Sequence, residues 1–309
     1  MNFDFSSVKI LLIGDFMIDR YIIGKSTRMS PEAPVPVVIP QNEYTVPGGA
    51  GNVAMNLCAL GAQVTCVGYM GNDKDGIDLM RHLQKENIDC NNLELISSIR
   101  TTSKTRFICN DTHIMRLDVE EKLENLWKPK SIESLEYGEY DIILLSDYNK
   151  GVLNNQWFNE INHKRIFVDP KKNDFSFYSN ANIITPNFNE LQRASQIKIK
   201  DDKSIEKACK IIIKNSNIKY VIAKKGNKGM TIVGRNNFVK NIDPYKVKNP
   251  DVTGAGDTVI AALSTVYAKT NDIEISAQVA NAAASIVVSK VGTSIVSIDD
   301  LKNFKTNHF

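Results

Sequence analysis

The segment 251–258 (DVTGAGDT) combines residue types that suit phosphoryl transfer, and it precedes an apolar stretch of helix formers. Gly254, Ala255 and Gly256 let backbone N–H groups converge on one point, because the two glycines carry no Cβ. The positive end of the following helix adds to this site for an anion or for growing negative charge. A carboxylate repels phosphate, so Asp257 is better suited to accept the proton of an attacking hydroxyl. A capped helix start with turn glycines is the purely structural alternative.

Two carboxylates follow the first apolar run of the chain and are candidates for a sugar site. Asp15 comes soon after the run 8–13, and Asp19 lies shortly beyond it. Gly48 and Gly49 permit close approach of the backbone, and Asn52 offers both a donor and an acceptor. These groups predict contacts to sugar hydroxyls, and a surface turn is the alternative for the two carboxylates.

Asn187 and Glu190 have the spacing of a helix-capping pair, directly after Pro186 ends a predicted strand. Capping explains the pair structurally, whereas the functional alternative places both groups near Mg²⁺ and the phosphates of ATP. Other phosphate motifs do not match. The segment 24–26 ends like a Walker A loop but lacks the first glycine of that motif, and 254–256 lacks the third glycine of a dinucleotide fingerprint.

Short apolar runs alternate with helical patterns along most of the chain, which predicts a mostly parallel sheet with helices on both faces. The predicted strands are 8–13, 63–69, 141–146, 165–168, 182–185 and 220–223. The predicted helices are 51–60, 74–86, 202–215, 254–268, 273–289 and a short piece near 298–304. The segments 17–46 and 101–117 break the alternation, and we interpret them as strands of a small lid.

Composition and charge exclude several classes of protein. The 309 residues suit one large domain with a small appendage, and a hydrophobic content of 42% is too high for a disordered chain. A net charge of +3 gives no case for a nucleic-acid-binding protein. Five scattered cysteines and four dispersed histidines favour reduced thiols and no zinc site. Without a signal peptide or an apolar run of about 20 residues, a cytoplasmic protein is expected.

These motifs occur in the order found in the ribokinase-like, or PfkB, family of carbohydrate kinases, which the chain resembles over essentially its whole length. Within the family it is most similar to the heptose 7-phosphate kinases, through stretches such as 27–38 (TRMSPEAPVPVV) and 145–153 (LSDYNKGVL). The resemblance implies an α/β fold, a ribokinase-like three-layer α/β/α sandwich. It would span residues 1–309, with lid strands from about 17–46 and 101–117.

The resemblance also implies ATP- and Mg²⁺-dependent phosphorylation of the C1 hydroxyl of D-glycero-β-D-manno-heptose 7-phosphate, a step toward the ADP-heptose of surface glycans. Asp257 would be the base, with the anion hole at 254–256. The residues near the nucleotide would be Asn187, Glu190, Lys225, Gly226, Gly229, Thr253 and Asn281, with Glu190 facing Mg²⁺ directly or through water. The residues facing the sugar would be Asp15, Asp19, Gly48, Gly49 and Asn52. Candidates for the substrate phosphate are Lys104, Arg106, Arg116, Lys150 and Lys171, each with a solvated surface charge as its alternative.

The partners implied are a sugar phosphate and a second copy of the chain, joined through the lid. The chain has no His-x-Gly-His motif of an adenylyltransferase. That activity is expected from another polypeptide or from a segment that has been removed. Two other functions remain open on the residues: a kinase for a different sugar or sugar phosphate, such as fructose 1-phosphate, and a sugar or nucleotide sensor without turnover.

Overall fold

The structure is a computed structural model that describes residues 4–123, 126–131, 133–154, 157–216, 218–290 and 292–308. Its strands are β1 (Lys9–Gly14), β2 (Phe16–Lys25), β3 (Ile39–Gly49), β4 (Gln63–Gly71), β5 (Asp89–Ile96), β6 (Ser103–Cys109), β7 (Thr112–Val119), β8 (Ile142–Ser146), β9 (Ile166–Asp169), β10 (Ile183–Ile184), β11 (Tyr220–Lys224), β12 (Met230–Gly234) and β13 (Val239–Ile242). Its α-helices are α1 (Ala50–Ala59), α2 (Lys74–Lys85), α3 (Phe188–Ser195), α4 (Asp202–Lys214), α5 (Ala255–Thr270), α6 (Ile273–Val288) and α7 (Ile298–His308).

The large sheet has the spatial order β13-β12-β11-β10-β9-β8-β1-β4-β5 within the described ranges. The strands from β5 to β11 are parallel, and β12 and β13 continue the sheet antiparallel at one edge. Because both faces of a parallel sheet are covered, its strands are nearly continuous apolar runs, and all of Ile142–Ser146 is buried. The carboxyl ends of these strands meet along one edge, where the motifs lie.

Helices cover both faces of this sheet and divide the core into two clusters. On one face α1, α5 and α6 pack together, and the buried side chains include Val53, Ile260 and Ala280. The other face is covered by α3, α4 and short 3₁₀ segments, with Leu191 and Ile205 in its core. Helix α6 is buried along most of its length, as its apolar sequence predicts.

A second sheet of four strands, in the order β3-β2-β6-β7, projects from the large sheet. Strands β6 and β7 form the hairpin expected from the sequence, and Asn110 and Asp111 at its turn both have positive φ, at 48° and 62°. The proline-rich stretch before β3 forms only an isolated bridge between Met29 and Pro36, because proline lacks a donor for a ladder.

The predicted α/β sandwich is confirmed, and the predicted helices begin and end within two residues of those observed, except for α7, which continues to His308. Strands β12 and β13 are not predicted by the apolar pattern. They form a hairpin around Asn236 and Asn237, both with positive φ. In the part of the chain that the structure describes, helices of bilayer-crossing length and hydropathy are absent.

Candidate active site

Asp257 lies in the first turn of α5, and its side chain is buried at the carboxyl edge of the large sheet. The side-chain amide of Asn52 donates to Oδ2 at 2.7 Å, and the phenol of Tyr148 donates to Oδ1. Asn52 belongs to α1, whereas Tyr148 lies in the loop after β8, so three distant segments meet here. Both oxygens of Asp257 are therefore held by neutral donors.

The surroundings of Asp257 bring the pKa of its carboxyl group close to neutral pH. Burial raises the pKa of Asp257 to about 7, against the hydrogen bonds from Tyr148 and Asn52, which lower it. Burial and the charge of Asp257 raise the pKa of Tyr148 well above its ordinary value, so the phenol keeps its proton and acts as the donor. A carboxylate that titrates near neutral pH has the pKa of an efficient general base.

Replacing Tyr148 with phenylalanine removes one hydrogen bond that favours the ionised form of Asp257. We expect the pKa of Asp257 to rise further in Tyr148→Phe, because burial is unchanged while the carboxylate loses a donor. The carboxyl carbon of Asp257, followed by NMR in ¹³C-labelled protein as pH is varied, measures this pKa. Tyr140→Phe, outside the site, is the matched control. An unchanged pKa of Asp257 in Tyr148→Phe would show that the phenol does not act on this carboxylate.

Asp15 supports the loop that carries Tyr148. Its Oδ2 accepts the N–H groups of Tyr148 and Lys150 at 2.8 and 2.9 Å, and its Oδ1 accepts that of Val152 at 3.0 Å. Burial raises the pKa of Asp15, while these three bonds lower it. Both oxygens of this predicted sugar ligand are thus engaged within the protein, and Asp15 has a supporting position behind the loop.

A buried polar network fixes Asn52, which the sequence predicts to face the sugar. The amide of Asn56, one turn along α1, donates to the carbonyl of Asn52 at 2.9 Å. The Oδ1 atom of Asn56 accepts the hydroxyl of Thr258 at 3.1 Å and the N–H of Val296 at 3.2 Å. Because every polar atom in this network has a partner, the amide that reaches Asp257 is fixed in place.

The glycines before Asp257 shape a cavity of about 180 Å³ that has both Gly254 and Gly256 in its wall. Gly254 has φ 75°, and a Cβ on it would lie 2.7 Å from Nδ2 of Asn52, so glycine is required there. The N–H of Ala255 donates to the carbonyl of Val252 at 3.2 Å. The N–H groups of Gly256 and Asp257 lie in the first turn of α5, where a helix supplies no carbonyl, so these two are the donors suited to an anion.

On the lid side of the site, Asp19 is buried beside Gly48. Its Oδ1 pairs with Arg106 at 2.7 Å, and Oδ2 accepts the hydroxyl of Thr293 at 3.4 Å. A Cβ on Gly48 would lie 2.6 Å from Oδ2 of Asp19, which explains the need for glycine at this position. Gly49, with φ 56°, precedes α1 and turns the chain from β3 into that helix.

Four of the five predicted phosphate-binding cations lie near the lid. Lys104 and Arg106 share one face of β6, and Arg116 lies opposite Arg106 on β7, paired with Asp118 at 2.8 Å. Lys150 pairs with Glu120 at 2.5 Å. Burial lowers the pKa of Lys104. The charge of Lys150 lowers this pKa as well, whereas the carboxylate of Asp19 raises it.

Lys171 lies apart from the other four. It pairs with Glu190 at 3.5 Å and lines the cavity that contains Asp257. The structure therefore places this cation beside the glycines of the proposed anion site, not beside Lys104 and Arg106.

A second cavity, of about 480 Å³, adjoins the first and has an apolar interior. Val252, Val259 and Val288 contribute apolar walls, and Asn281 is a polar group in the same wall. The amide of Asn281 donates to the carbonyl of Asp243 at 2.8 Å, which fixes its orientation. An apolar cleft with few oriented polar groups, next to a helix N-terminus, suits a nucleotide whose phosphates extend toward Asp257.

Of the other residues predicted near a nucleotide, Gly226 and Gly229 line the 480 Å³ cavity. Lys225 instead lines a neighbouring cavity of about 370 Å³, and its ammonium pairs with Asp202 at 3.2 Å. The structure thus turns Lys225 toward α4. Thr253 lies in the loop before α5, and its N–H donates to Asp251 at 3.0 Å.

Asn187 and Glu190 form the capping pair expected from their spacing. The side chain of Asn187 accepts the N–H of Glu190 at 2.9 Å, and Oε2 of Glu190 accepts the N–H of Asn187 at 2.8 Å. Both residues also line the 180 Å³ cavity, so their capping role is compatible with a role at this cavity. Among the described residues, no group of three or more His, Cys, Asp or Glu side chains is placed to hold a metal. Glu190 and Asp169 nevertheless fit Mg²⁺, which commonly uses one or two carboxylates with water and substrate phosphates.

Three residues of this site are not predicted from the sequence: Tyr148, Asp169 and Lys224. The ammonium of Lys224 lies 2.6 Å from Oδ1 of Asp169, at the ends of β11 and β9. Both side chains line the cavity that contains Asp257. All three residues lie at or just after the end of an apolar strand. Because the carboxyl ends of parallel strands meet at one edge of a sheet, this position in the sequence could have indicated that they belong to the site. The pattern alone does not show which of the adjacent lysines 224 and 225 faces this cavity.

Comparisons with known proteins identify the family of the chain and proteins that share its fold. The model of a family described as pfkB family carbohydrate kinase matches residues 8–300. Bifunctional protein HldE of Sulfurimonas denitrificans is 38% identical over 312 residues, which cover 97% of this chain and 64% of that protein. Bifunctional protein HldE of Haemophilus influenzae is also 38% identical, with the same shares covered. The chain therefore spans about two thirds of the length of these curated relatives.

Solved structures share the fold at lower identity. A ribokinase from Thermotoga maritima has a TM-score of 0.74 and 21% identity, with 97% of this chain and 99% of that chain covered. The ribokinase of Arabidopsis thaliana, complexed with ribose and ATP, has a TM-score of 0.76 and 18% identity, with 96% and 98% covered. These similarities establish the arrangement of strands and helices.

Proposed function

The chain belongs to the pfkB family of carbohydrate kinases, and from that premise we propose that it transfers the terminal phosphoryl group of ATP to a sugar hydroxyl. The observation that carries the proposal is the buried carboxylate of Asp257, which lies in the first turn of α5 and lines the same cavity as Gly254 and Gly256. A proton acceptor beside an anion site serves transfer of a phosphoryl group to an alcohol.

In the proposed reaction, Asp257 takes the proton of the sugar hydroxyl while that oxygen forms a bond to the terminal phosphorus. The bond from phosphorus to the oxygen shared with the next phosphate breaks, and ADP leaves. The N–H groups of Gly256 and Asp257 stabilise the charge on the transferring group. Asn52 and Tyr148 keep the carboxylate directed at the hydroxyl. Mg²⁺, held near Glu190 and Asp169, would neutralise charge on the ATP phosphates.

We propose D-glycero-β-D-manno-heptose 7-phosphate as the acceptor, phosphorylated at its C1 hydroxyl. The similarity to proteins named bifunctional protein HldE over 97% of the chain supports this choice. The site adds a second argument, because Lys104, Arg106 and Arg116 line one face of the lid. A sugar that already carries a phosphate needs such cations, and arginine suits a bidentate contact best. The product would serve an adenylyltransferase acting next.

A substrate panel tests the proposal. The protein is incubated with ATP and Mg²⁺ and with heptose 7-phosphate, fructose 1-phosphate or ribose, and kcat/KM is obtained from ADP release. We expect the heptose phosphate to be preferred, with phosphate found on C1 by ³¹P NMR. A higher kcat/KM for fructose 1-phosphate would overturn the substrate. Binding of heptose phosphate and ATP without any ADP release would overturn the kinase and favour the sensor.

We also propose that two copies of the chain associate through the lid. The face of the lid opposite Arg106 exposes two large apolar side chains of β7, Leu117 (53% exposed) and Met115 (52%). Strand β7 is an edge of the lid sheet. Adjacent exposed apolar side chains on an edge strand mark a surface that associates. The lid of a second copy presents the same side chains, so it is a matching partner.

We expect the unchanged chain to sediment as a dimer and Leu117→Glu to sediment as a monomer, because a carboxylate in an apolar interface loses its hydration without a partner. Sedimentation velocity measures the difference. Val239→Glu, on exposed β13 away from the lid, is the matched control and remains dimeric. A monomer for the unchanged chain, or a dimer for Leu117→Glu, would contradict the proposed interface.

A further inference from the structure

Lys224 is a largely buried cation that the proposed reaction has so far left without a role. It is the last residue of β11, and its side chain is 14% exposed. Its ammonium lies 2.6 Å from Oδ1 of Asp169, and a Cβ built on Gly256 would be 3.3 Å from it. The ammonium is therefore adjacent to the backbone of the anion site at the start of α5.

Lys224 lies where three cavities meet and lines each of them. Lys224 and Asn187 line the 480 Å³ cavity suited to a nucleotide, the 180 Å³ cavity that contains Asp257, and the neighbouring 370 Å³ cavity. No other described residue lines all three of these cavities. A phosphate chain that runs from the apolar cavity to Asp257 must pass this junction.

The groups around Lys224 leave its ammonium able to bind an anion. The carboxylates of Asp169, Glu190 and Asp257 line the same cavity as Lys224, and the ammonium pairs with Asp169. The ion pair with Asp169 occupies one of the three donor positions of the ammonium. Two N–H donors remain for oxygens of a phosphate, where the low dielectric strengthens a charged contact.

We propose that Lys224 is a catalytic residue, an inference that rests on the kinase function proposed above. Its ammonium contacts the phosphoryl group in transit and stabilises the charge that develops there. Asp169 acts as a positioning residue that directs the ammonium to the junction of the cavities. Lysine provides a point charge at this place, whereas the N–H groups of Gly256 and Asp257 provide oriented dipoles.

The test compares Lys224→Gln and Lys224→Met with the unchanged protein. In Lys224→Gln the side-chain amide can still donate a hydrogen bond to Asp169, although it carries no charge. This variant therefore keeps the test possible if Lys224→Met does not fold. We expect kcat to fall by about 10²–10³-fold, as when one oxyanion donor is removed, with KM for the sugar unchanged. A second readout is calorimetric affinity for ADP with aluminium fluoride and Mg²⁺, a mimic of the group in transit. It should weaken by about tenfold to hundredfold, the equivalent of one charge-assisted hydrogen bond, while affinity for ADP alone changes less.

The matched control is Lys240→Met, which removes another paired lysine, on β13, outside the cavities described above. Its kcat should equal that of the unchanged protein. One outcome would overturn the role of Lys224 but not the kinase function. In that outcome the unchanged protein transfers phosphate and Asp257→Asn does not, but Lys224→Gln keeps the full kcat and the full affinity for the analogue. If the unchanged protein transfers no phosphate from ATP to any sugar, the proposed function itself is wrong.

Discussion

Asp257→Asn is expected to reduce kcat by about 10²–10⁴-fold, the contribution of a positioned general base. Asparagine has nearly the same shape and can still bond to neighbouring groups, but it cannot take the proton of the acceptor hydroxyl. Affinity for the sugar should change little, since the loss concerns the transition state. Initial-rate kinetics with the preferred sugar phosphate measure kcat and KM together.

The pH dependence gives this variant a second readout. Because burial raises the pKa of Asp257 to about 7, the base is protonated below that pH and ionised above it. In the unchanged protein kcat/KM should therefore rise through about pH 7 and level off, and Asp257→Asn should lose this limb. Asp272→Asn is the matched control, because Asp272 caps α6 and asparagine caps equally well. Equal kcat in Asp257→Asn and Asp272→Asn would contradict the role of the base.

Gly254→Ala is expected to have the second largest effect. A Cβ at this position lies 2.7 Å from Nδ2 of Asn52, whose amide orients Asp257, and φ 75° is unfavourable for alanine. The start of α5 must shift, which displaces both the N–H donors and the base. We expect kcat to fall by at least the roughly 10²–10³-fold attributed to one oxyanion donor.

Gly61→Ala is the control that distinguishes displacement of the active site in Gly254→Ala from backbone strain alone. Gly61 also has positive φ, at 88°, but it follows α1 at a distance from the cavities, and its Cβ would contact only Ile298 at 3.3 Å. Both variants should lower the melting temperature, because alanine at such φ costs about 1–2 kcal/mol. Only Gly254→Ala should lose kcat. Parallel losses of kcat and melting temperature in the two variants would assign the effect to stability alone.

Much of the fold follows from local chemistry that the sequence displays. The apolar run in Lys9–Gly14 predicts a buried central strand, and the glycines before Asp257 mark the start of α5. The turn at Asn110 and Asp111 tolerates positive φ, so that hairpin is predicted correctly. The equivalent turn at Asn236 and Asn237 lies beside short strands with weak alternation, and the hairpin there is missed.

The contacts of the site depend on segments distant in sequence, which local patterns do not specify. Asp15 and Tyr148 are 133 positions apart, and Asn52 and Asp257 are 205 apart. The sequence identifies Asp15 as a candidate ligand, but only the fold shows its carboxylate bonded to the loop that carries Tyr148.

Lys224, the last residue of β11, and Lys225, the residue after it, illustrate the same limit. Side chains alternate along a strand, so Lys224 shares a face with Ile222, and Lys225 is turned to the other face. Ile222 packs in the cluster formed with α5, which places Lys224 beside Asp257. The alternation is visible in the sequence, but the helix that covers each face is known only from the topology.

The most direct test of the central claim is a crystal structure of the protein with the heptose phosphate and a non-hydrolysable ATP analogue. We expect one carboxylate oxygen of Asp257 to lie about 2.6–3.2 Å from the C1 hydroxyl, the range of a general base in contact with its substrate. The terminal phosphate should then meet the N–H groups of Gly256 and Asp257. A hydroxyl that approaches the phosphate from a side where Asp257 cannot reach it would contradict the claim.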